Sequence, residues 1–338
     1  MVDSYKDKKY LVKYDLNMEL LDRFGLKVTD LLPMRNVYML TTDKGDKILK
    51  KIDYSIEEIN FISAAIKYIK RKFPFIMDFI TTRDGGIYTL WKGEIYCALD
   101  SVDGRECQFT SAQDLGLASE ALGKFHSASE GFRYNLPSKN KTGGLIKTFS
   151  RRLEEMNFFS KIAKMHEHRN EFDSIFLDNV DYNIKNIEDS ISILEKSPYY
   201  KLCSEEDKIV FCHHELANFN ILIKDEDTYF IDFDEGVMDL KIHDICNLIN
   251  KVEKEFNFEV EKSQSILRHY TKMNTLDSRE LEVLYGMLVF PEDFYSIAKD
   301  YYTRRKEWDE EVFVEKLKRK TSYTTNRDEF LEHFKKSI

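Results

Sequence analysis

Cysteine is sparse in this sequence. Five occur in 338 residues, Cys97, Cys107, Cys203, Cys212 and Cys246, and no two stand at Cys-x-x-Cys spacing. An odd, scattered set excludes a disulfide framework and a cysteine zinc site, and reads as reduced core residues made in the cytosol. Positive charge is not in excess either: 51 Lys and Arg stand against 60 Asp and Glu, a net −9. That argues against nonspecific binding to nucleic acid or to an anionic membrane, both of which need basic surface. The opening residues, Met1-Val-Asp-Ser-Tyr-Lys-Asp-Lys-Lys9, hold no apolar signal core, so synthesis without export is expected. The longest apolar run, around Leu284-Tyr-Gly-Met-Leu-Val-Phe290, is too short to span a bilayer. No internal repeat or low-complexity tract is present, so no long disordered linker is expected. What remains is ordinary for a soluble globular chain, with 42% hydrophobic and 33% charged residues and length enough for two lobes or one large domain.

The most informative stretch is Phe211-Cys-His-His-Glu-Leu-Ala-Asn-Phe-Asn-Ile-Leu-Ile223, followed by Tyr229-Phe-Ile-Asp-Phe-Asp-Glu235. It reads as an apolar approach, a loop carrying His213, Glu215 and Asn220, a strand, the turn Lys224-Asp-Glu-Asp-Thr228, and a second strand ending in Asp232. A hairpin of this kind brings Asn220 near Asp232. An amide oxygen and a carboxylate meeting at strand ends suit a hard cation such as Mg²⁺, with Asp234 a candidate for a second metal or a turn cap. Glu215, five residues before Asn220, is placed to reach an incoming hydroxyl. Phosphoryl transfer needs this kit: a metal on the phosphates, a positioned acceptor and a carboxylate to take its proton.

In kinase-like enzymes the loop reads His-x-Asp-x-x-x-x-Asn and a metal-binding Asp follows at a strand end. Here it reads His213-His-Glu215-Leu-Ala-Asn-Phe-Asn220, then Ile231-Asp232-Phe-Asp234, with Glu215 in place of the Asp. Asp244, twelve residues past Asp232, matches the helical Asp that steadies the loop. With these residues the chain resembles the aminoglycoside phosphotransferase and choline kinase group, and within it the CotS-type spore coat proteins. Asp46-Lys-Ile-Leu-Lys-Lys-Ile52, Ser101-Val-Asp-Gly-Arg-Glu-Cys107, Phe290-Pro-Glu-Asp-Phe-Tyr295 and Lys299-Asp-Tyr-Tyr302 extend the similarity from about residue 10 to about 320. The resemblance implies an α+β, two-lobed, protein-kinase-like fold. Residues 1–100 would form a small antiparallel-sheet N-lobe that covers the nucleotide. Residues 101–338 would form a larger, mostly helical C-lobe with the catalytic loop and metal site. It also implies ATP and Mg²⁺, a small-molecule hydroxyl acceptor or other coat proteins as partners, and arrival at a spore coat by assembly from the mother-cell cytoplasm.

Read in order, residues 5–31 look helical, with Leu16, Leu20 and Phe24 on one side and Gly25 as a stop, after which Leu26-Lys-Val28 is a candidate start of a strand. Val37–Thr42 and Lys47–Ile52 read as a hairpin turning at Asp43-Lys-Gly-Asp46. Lys50 shares a strand face with Ile48 and is the candidate for the α- and β-phosphates, with Lys51 the alternative. Pro33-Met-Arg-Asn36, where a nucleotide-covering loop is expected, has no glycine to let backbone N–H groups approach phosphates; Arg35 is the available substitute. Ser55 caps a helix with Glu58 as capping-box partner, and Glu58 or Glu57 is the candidate to steady the strand Lys. Residues 78–82, 86–91 and 95–99 read as three strands. Asp100-Ser-Val-Asp-Gly104 is the expected hinge, where the backbone of Asp100 or Val102 would meet an adenine. Helices are expected from Ser111 to about His126, over Ile184–Leu194, and from Val252 to Tyr270. In the last, Glu253, Glu255, Glu259 and Glu261 read as water-facing, with a site for a cationic acceptor as the alternative. Basic residues of 147–170, such as Arg151 and Arg152, read as a solvated face. Trp308, Phe313 and Leu317 should anchor the C-terminal helices.

Lys50, Asn220 and Asp232 are thus expected to converge on one site, with Glu215 as base and His213 fixing the loop. A second reading, a kinase fold kept as a structural coat component, is favoured by Glu215 and the missing loop glycines. A protein kinase is disfavoured, because no Asp-Phe-Gly or Ala-Pro-Glu segment lies between Asp232 and Asp244.

Overall fold

The computed structural model describes residues 18–34 and 37–337. The chain divides into two compact units. Of the described residues, the first holds 18–34, 37–108, 132–139 and 218–235; the second holds 109–131, 140–217 and 236–337.

In the first unit, β1 (Val28–Met34), β2 (Val37–Thr42), β3 (Lys47–Ile52), β4 (Thr89–Trp91) and β5 (Glu94–Asp100) make one antiparallel sheet in the order β1-β2-β3-β5-β4. Alternation along β3 sends Leu49 to one face and Ile48 and Ile52 to the other. Leu49 joins Leu20, Leu21 and Phe24 from the short helix α1 (Met18–Asp22). Ile52 joins Ile59 from α2 (Ile56–Ile69). The sheet therefore has one core on each side, and Lys50 points with Ile48 and Ile52 toward the α2 side. Ser55 caps α2 with the expected capping box closed by Glu58. Phe61 of α2 meets Phe132 and Tyr134, which ties residues 132–139 to this unit. The catalytic-segment hairpin is β8 (Ile221–Lys224) and β9 (Asp227–Phe230), with β6 (Arg105–Glu106) added alongside β8.

The sheet departs from expectation in two places. Residues 78–82 make one antiparallel bridge to β5, Phe79 opposite Leu99, with the Ile80 N–H on Ala98 O (2.8 Å) and the Asp100 N–H on Asp78 O (3.0 Å), but no full strand, because the chain turns back at once through the Thr82 N–H on Gly86 O (2.8 Å). The fifth strand is instead β1, an edge strand that absorbs Pro33 and Met34 from the expected nucleotide-covering loop, as an edge can absorb a proline. Arg35, Asn36 and Leu16 lie outside the described residues.

The second unit is mainly helical: α3 (Ala112–Ser129), α4 (Leu145–Met165), α5 (Glu171–Lys196), α6 (Tyr199–Leu202), α7 (Ile242–Glu253), α8 (Val260–Thr271), α9 (Ser278–Val289), α10 (Glu292–Tyr302), α11 (Glu310–Ser322) and α12 (Thr324–Ser337). Its two strands, β7 (Ile209–Cys212) and β10 (Val237–Leu240), pair antiparallel. Helix α5 is its spine. Phe172, Phe176, Val180, Ile187 and Leu194 form one buried stripe at helical spacing that packs on α4, α9 and α11. Gly123 lets α3 lie against α8: a β-carbon there would come within 2.8 Å of Tyr270 O. Phe313 and Leu317 are buried as expected, and Trp308 packs half-buried on Phe313.

The acidic stretch also differs from expectation. It is not one helix, because Asn257 (φ 51°) and Phe258 (φ 64°) break it. Glu255, Glu259 and Glu261 do face water, but Glu253 is fully buried, its Oε1 accepting the N–H of Ser263 at 2.9 Å. Burial pushes its carboxyl up to about 8. Between about pH 4.5 and 8 the folded chain then holds a proton that the unfolded chain has lost, so stability falls as pH rises through that window, by at most about 1.4 kcal/mol per pH unit. Glu253→Gln should flatten the pH dependence of the melting temperature above pH 5 and leave the variant the more stable of the two at pH 8, as read by calorimetry in a buffer series.

Candidate functional site

The loop after β7 is fixed through its backbone. His213 N–H donates to Asp244 Oδ2 (2.7 Å) and His214 N–H to Asp244 Oδ1 (2.8 Å). Glu215 N–H meets His213 Nδ1 (3.3 Å), and Leu216 N–H donates to Asn247 Oδ1 (2.9 Å). Four successive N–H groups thus end on side chains rather than on secondary structure, which defines the loop without a helix or strand. Asp244 and Asn247, one turn apart at the start of α7, supply three of the four acceptors. Asp244 is itself fully buried and also meets His126 Nε2 (3.1 Å); His126 Nδ1 meets the Tyr270 hydroxyl (2.9 Å). Burial alone would raise the Asp244 carboxyl, but the His126 hydrogen bond and the neighbouring imidazoles overcome it and hold it down at about 2. It therefore stays ionised and accepts from all three donors. His214 takes a left-handed φ of 64°, a conformation few side chains occupy.

The other group of candidates lies in the first unit. Asp232, just past β9, also has a left-handed φ of 63°. Lys50 Nζ stands 2.6 Å from Asp232 Oδ1 and 2.6 Å from Asp234 Oδ2. Asp234 is further held by the Tyr54 hydroxyl on Oδ1 (3.1 Å) and by Lys139 Nζ on its carbonyl (2.7 Å). Asn220 is buried, and its carbonyl takes the N–H of Ile231 (3.1 Å), which anchors the residue next to Asp232. Burial works against the Lys50 charge, yet the Asp234 and Asp232 carboxylates outweigh it and raise its pKa. Burial and the like charge of Asp232 raise that of Asp234. Two carboxylates with hard oxygen donors, one of them 40% exposed, fit a hard divalent ion. Here an ammonium gathers the two carboxylates.

Several candidates fall elsewhere. Lys51 points to the opposite sheet face and pairs with Glu94 at 2.9 Å, so of the two lysines it is Lys50 that meets the acids. Glu58 is engaged elsewhere: its carboxylate closes the Ser55 capping box and takes the Ser138 hydroxyl (3.1 Å), while Lys50 is held by Asp232 and Asp234. Glu57 is exposed. The Asp100 N–H already donates to Asp78 O (3.0 Å), its carboxylate pairs with Lys47 (3.1 Å), and Val102 O accepts the Gly104 N–H (3.0 Å). Arg152 is not a plain solvated charge; it pairs with Glu292 at 2.6 Å and lies 4.8 Å over the Tyr295 ring. Tyr54, Lys139, His126, Tyr270 and Asn247 were not singled out by sequence. Asn247 was within reach, one helical turn after Asp244; the others lie far from their partners in the chain.

Residues 17–334 match the family model described as "Spore coat putative kinase YutH". The chain belongs to that spore coat family. Spore coat protein S of Bacillus subtilis (strain 168) is 24% identical to it over 303 residues, covering 88% of this chain and 86% of that one. Among solved structures, an aminoglycoside phosphotransferase from Alicyclobacillus acidocaldarius subsp. acidocaldarius DSM 446 superposes with a TM-score of 0.83 at 18% identity, covering 95% of this chain and 96% of that one. A spectinomycin phosphotransferase in complex with ADP and spectinomycin gives 0.66 at 16% identity, over 94% and 97%. At such identities the likeness shows the fold. This spore coat family member has the two-lobed, kinase-like α+β fold, with a five-stranded antiparallel sheet and a larger helical part. No helix among the described residues is long and apolar enough to cross a membrane.

Proposed function

We propose that this member of the spore coat family is an ATP- and Mg²⁺-dependent phosphotransferase acting on a hydroxyl of a small molecule. The observation that carries the reading is the meeting of Lys50 with Asp232 and Asp234 at 2.6 Å each, across more than 180 residues of sequence. A half-buried lysine collecting two carboxylates is a costly arrangement for a mere building block. In this reading Asn220, Asp232 and Asp234 hold Mg²⁺ and Lys50 holds the α- and β-phosphates. Bound Mg-ATP supplies the phosphoryl group and the neutralising charge. Glu215 orients the acceptor hydroxyl and takes its proton, on a loop that His213, Asp244 and Asn247 keep in place. The ADP complex of the spectinomycin phosphotransferase, a protein of the same fold, supports nucleotide binding here. The family supports an association with the spore coat.

A second reading, a coat component with turnover weakened or lost, is favoured by Glu215 and by the strand that occupies Pro33 and Met34. Thermal shift with millimolar Mg-ATP separates the two. The phosphotransferase reading expects a rise in melting temperature that Asp232→Ala abolishes. No shift in the unaltered chain would favour the coat component.

A further inference from the structure

We propose that His214, Asp239 and His243 form a binding site for a borderline divalent metal ion of the Zn²⁺ class, separate from the oxygen-donor site at Asp232. Asp239 is the third residue of β10 and His243 the second residue of α7, so the strand-to-helix corner presents both side chains together. Asp239 is 1% exposed. Its Oδ1 is held by the Leu240 N–H at 2.8 Å. Its Oδ2 lies 3.5 Å from His214 Nε2 and 3.5 Å from His243 Nε2, and all three ligand atoms fall within 4.8 Å of one another.

These distances are longer than the about 2.7–2.9 Å to which charge-assisted hydrogen bonds to a carboxylate close. They match the edge of a coordination tetrahedron. With bonds of about 2.1 Å, neighbouring ligand atoms of a tetrahedral ion stand about 3.4 Å apart. Asp239 Oδ2 and His243 Nε2 are buried and have no hydrogen-bond partner, a state that buried polar atoms seldom keep. The two imidazoles lie within 9° of parallel, with centroids 5.3 Å apart. Turning both lone pairs onto one ion takes a rotation about χ2, a soft torsion. His214 is also kept at a left-handed φ where glycine would be unstrained.

Two imidazoles and one carboxylate select Zn²⁺, Fe²⁺ or Co²⁺ over Mg²⁺, which prefers oxygen. Three protein ligands leave a coordination position open, the pattern of reactive rather than purely structural zinc sites. The three residues line a cavity of about 800 Å³ that also presents Asn140, Thr142, Arg151 and Lys251, room enough for a small molecule beside the ion.

The test uses the full chain, stripped with chelator and titrated with ZnCl₂ by calorimetry, with Co²⁺ substitution followed by visible absorption. One ion per chain is expected. His214→Gly relieves the left-handed strain, so it should melt no lower than the unaltered chain, yet bind Zn²⁺ more weakly by upward of the roughly 10–100-fold that losing even an outer partner costs. His243→Ala should do the same, and Asp232→Ala should bind normally. Absence of stoichiometric binding at tenfold excess Zn²⁺, or a folded His214→Gly chain that binds as well as the original, would overturn the proposal.

Discussion

Asp244→Ala should destabilise the helical unit by on the order of 4 kcal/mol, because one buried carboxylate answers three buried donors. Its removal leaves the N–H groups of His213 and His214 and the Nε2 of His126 without that acceptor. Each orphaned buried polar group costs about 1–3 kcal/mol, and breaking a buried ion pair from one side about 3–5. For a unit of this size the melting temperature should drop by roughly 10 °C. Asp244→Asn keeps one oxygen acceptor and should fall between the two. The same carboxylate predicts an acid limb. Its folded pKa near 2 lies below the ordinary carboxylate value, so its contribution is fully present above about pH 4 and disappears as pH falls toward 2. Denaturant melts at pH 7 and pH 3 should therefore show the gap between the original chain and Asp244→Asn shrinking at the lower pH. A gap unchanged with pH would mean that Asp244 acts only by filling space.

That carboxylate also marks how far sequence could go. Asp244 was legible because its spacing from Asp232 belongs to a motif, and its target, the loop of His213, is a motif too. His126 and Tyr270, which complete its environment, lie 118 residues before it and 26 after it with no local pattern to announce them. The hairpin of β2 and β3 was legible to the residue, since alternation, an Asp-Lys-Gly-Asp turn and a returning strand all agree. So was the capping box at Ser55 and Glu58. What that box obscured was competition: a carboxylate already satisfied by two nearby donors does not cross to a strand lysine, and Asp234, which sequence left as a turn cap or second metal ligand, meets Lys50 instead. Glu253 could have been found, because it follows Ile249 by four residues and so shares the apolar stripe of α7. The site at Asp239 was hidden by a strand only four residues long.

On the phosphotransferase reading, Glu215→Asp should raise turnover by about a hundredfold. The two acids differ by only about 0.4 in pKa, so proton affinity is nearly unchanged. They differ by one methylene, about 1.3 Å of reach, and misplacing a catalytic group by about 1 Å costs roughly a hundredfold in rate. The substitution keeps the peptide N–H bonds of residues 213 to 216, which end on Asp244, His213 and Asn247. Melting temperature and the Mg-ATP shift should therefore stay within error of the original chain while ATP hydrolysis accelerates. Glu215→Gln, which cannot accept a proton, should lose hydrolysis and keep the shift. If Glu215→Asp and Glu215→Gln hydrolyse ATP at the same rate, the side chain at 215 takes no proton, and the nucleotide is held for a purpose other than transfer to a hydroxyl. If neither variant nor the original responds to Mg-ATP, Lys50 and its two carboxylates are a strut of the coat.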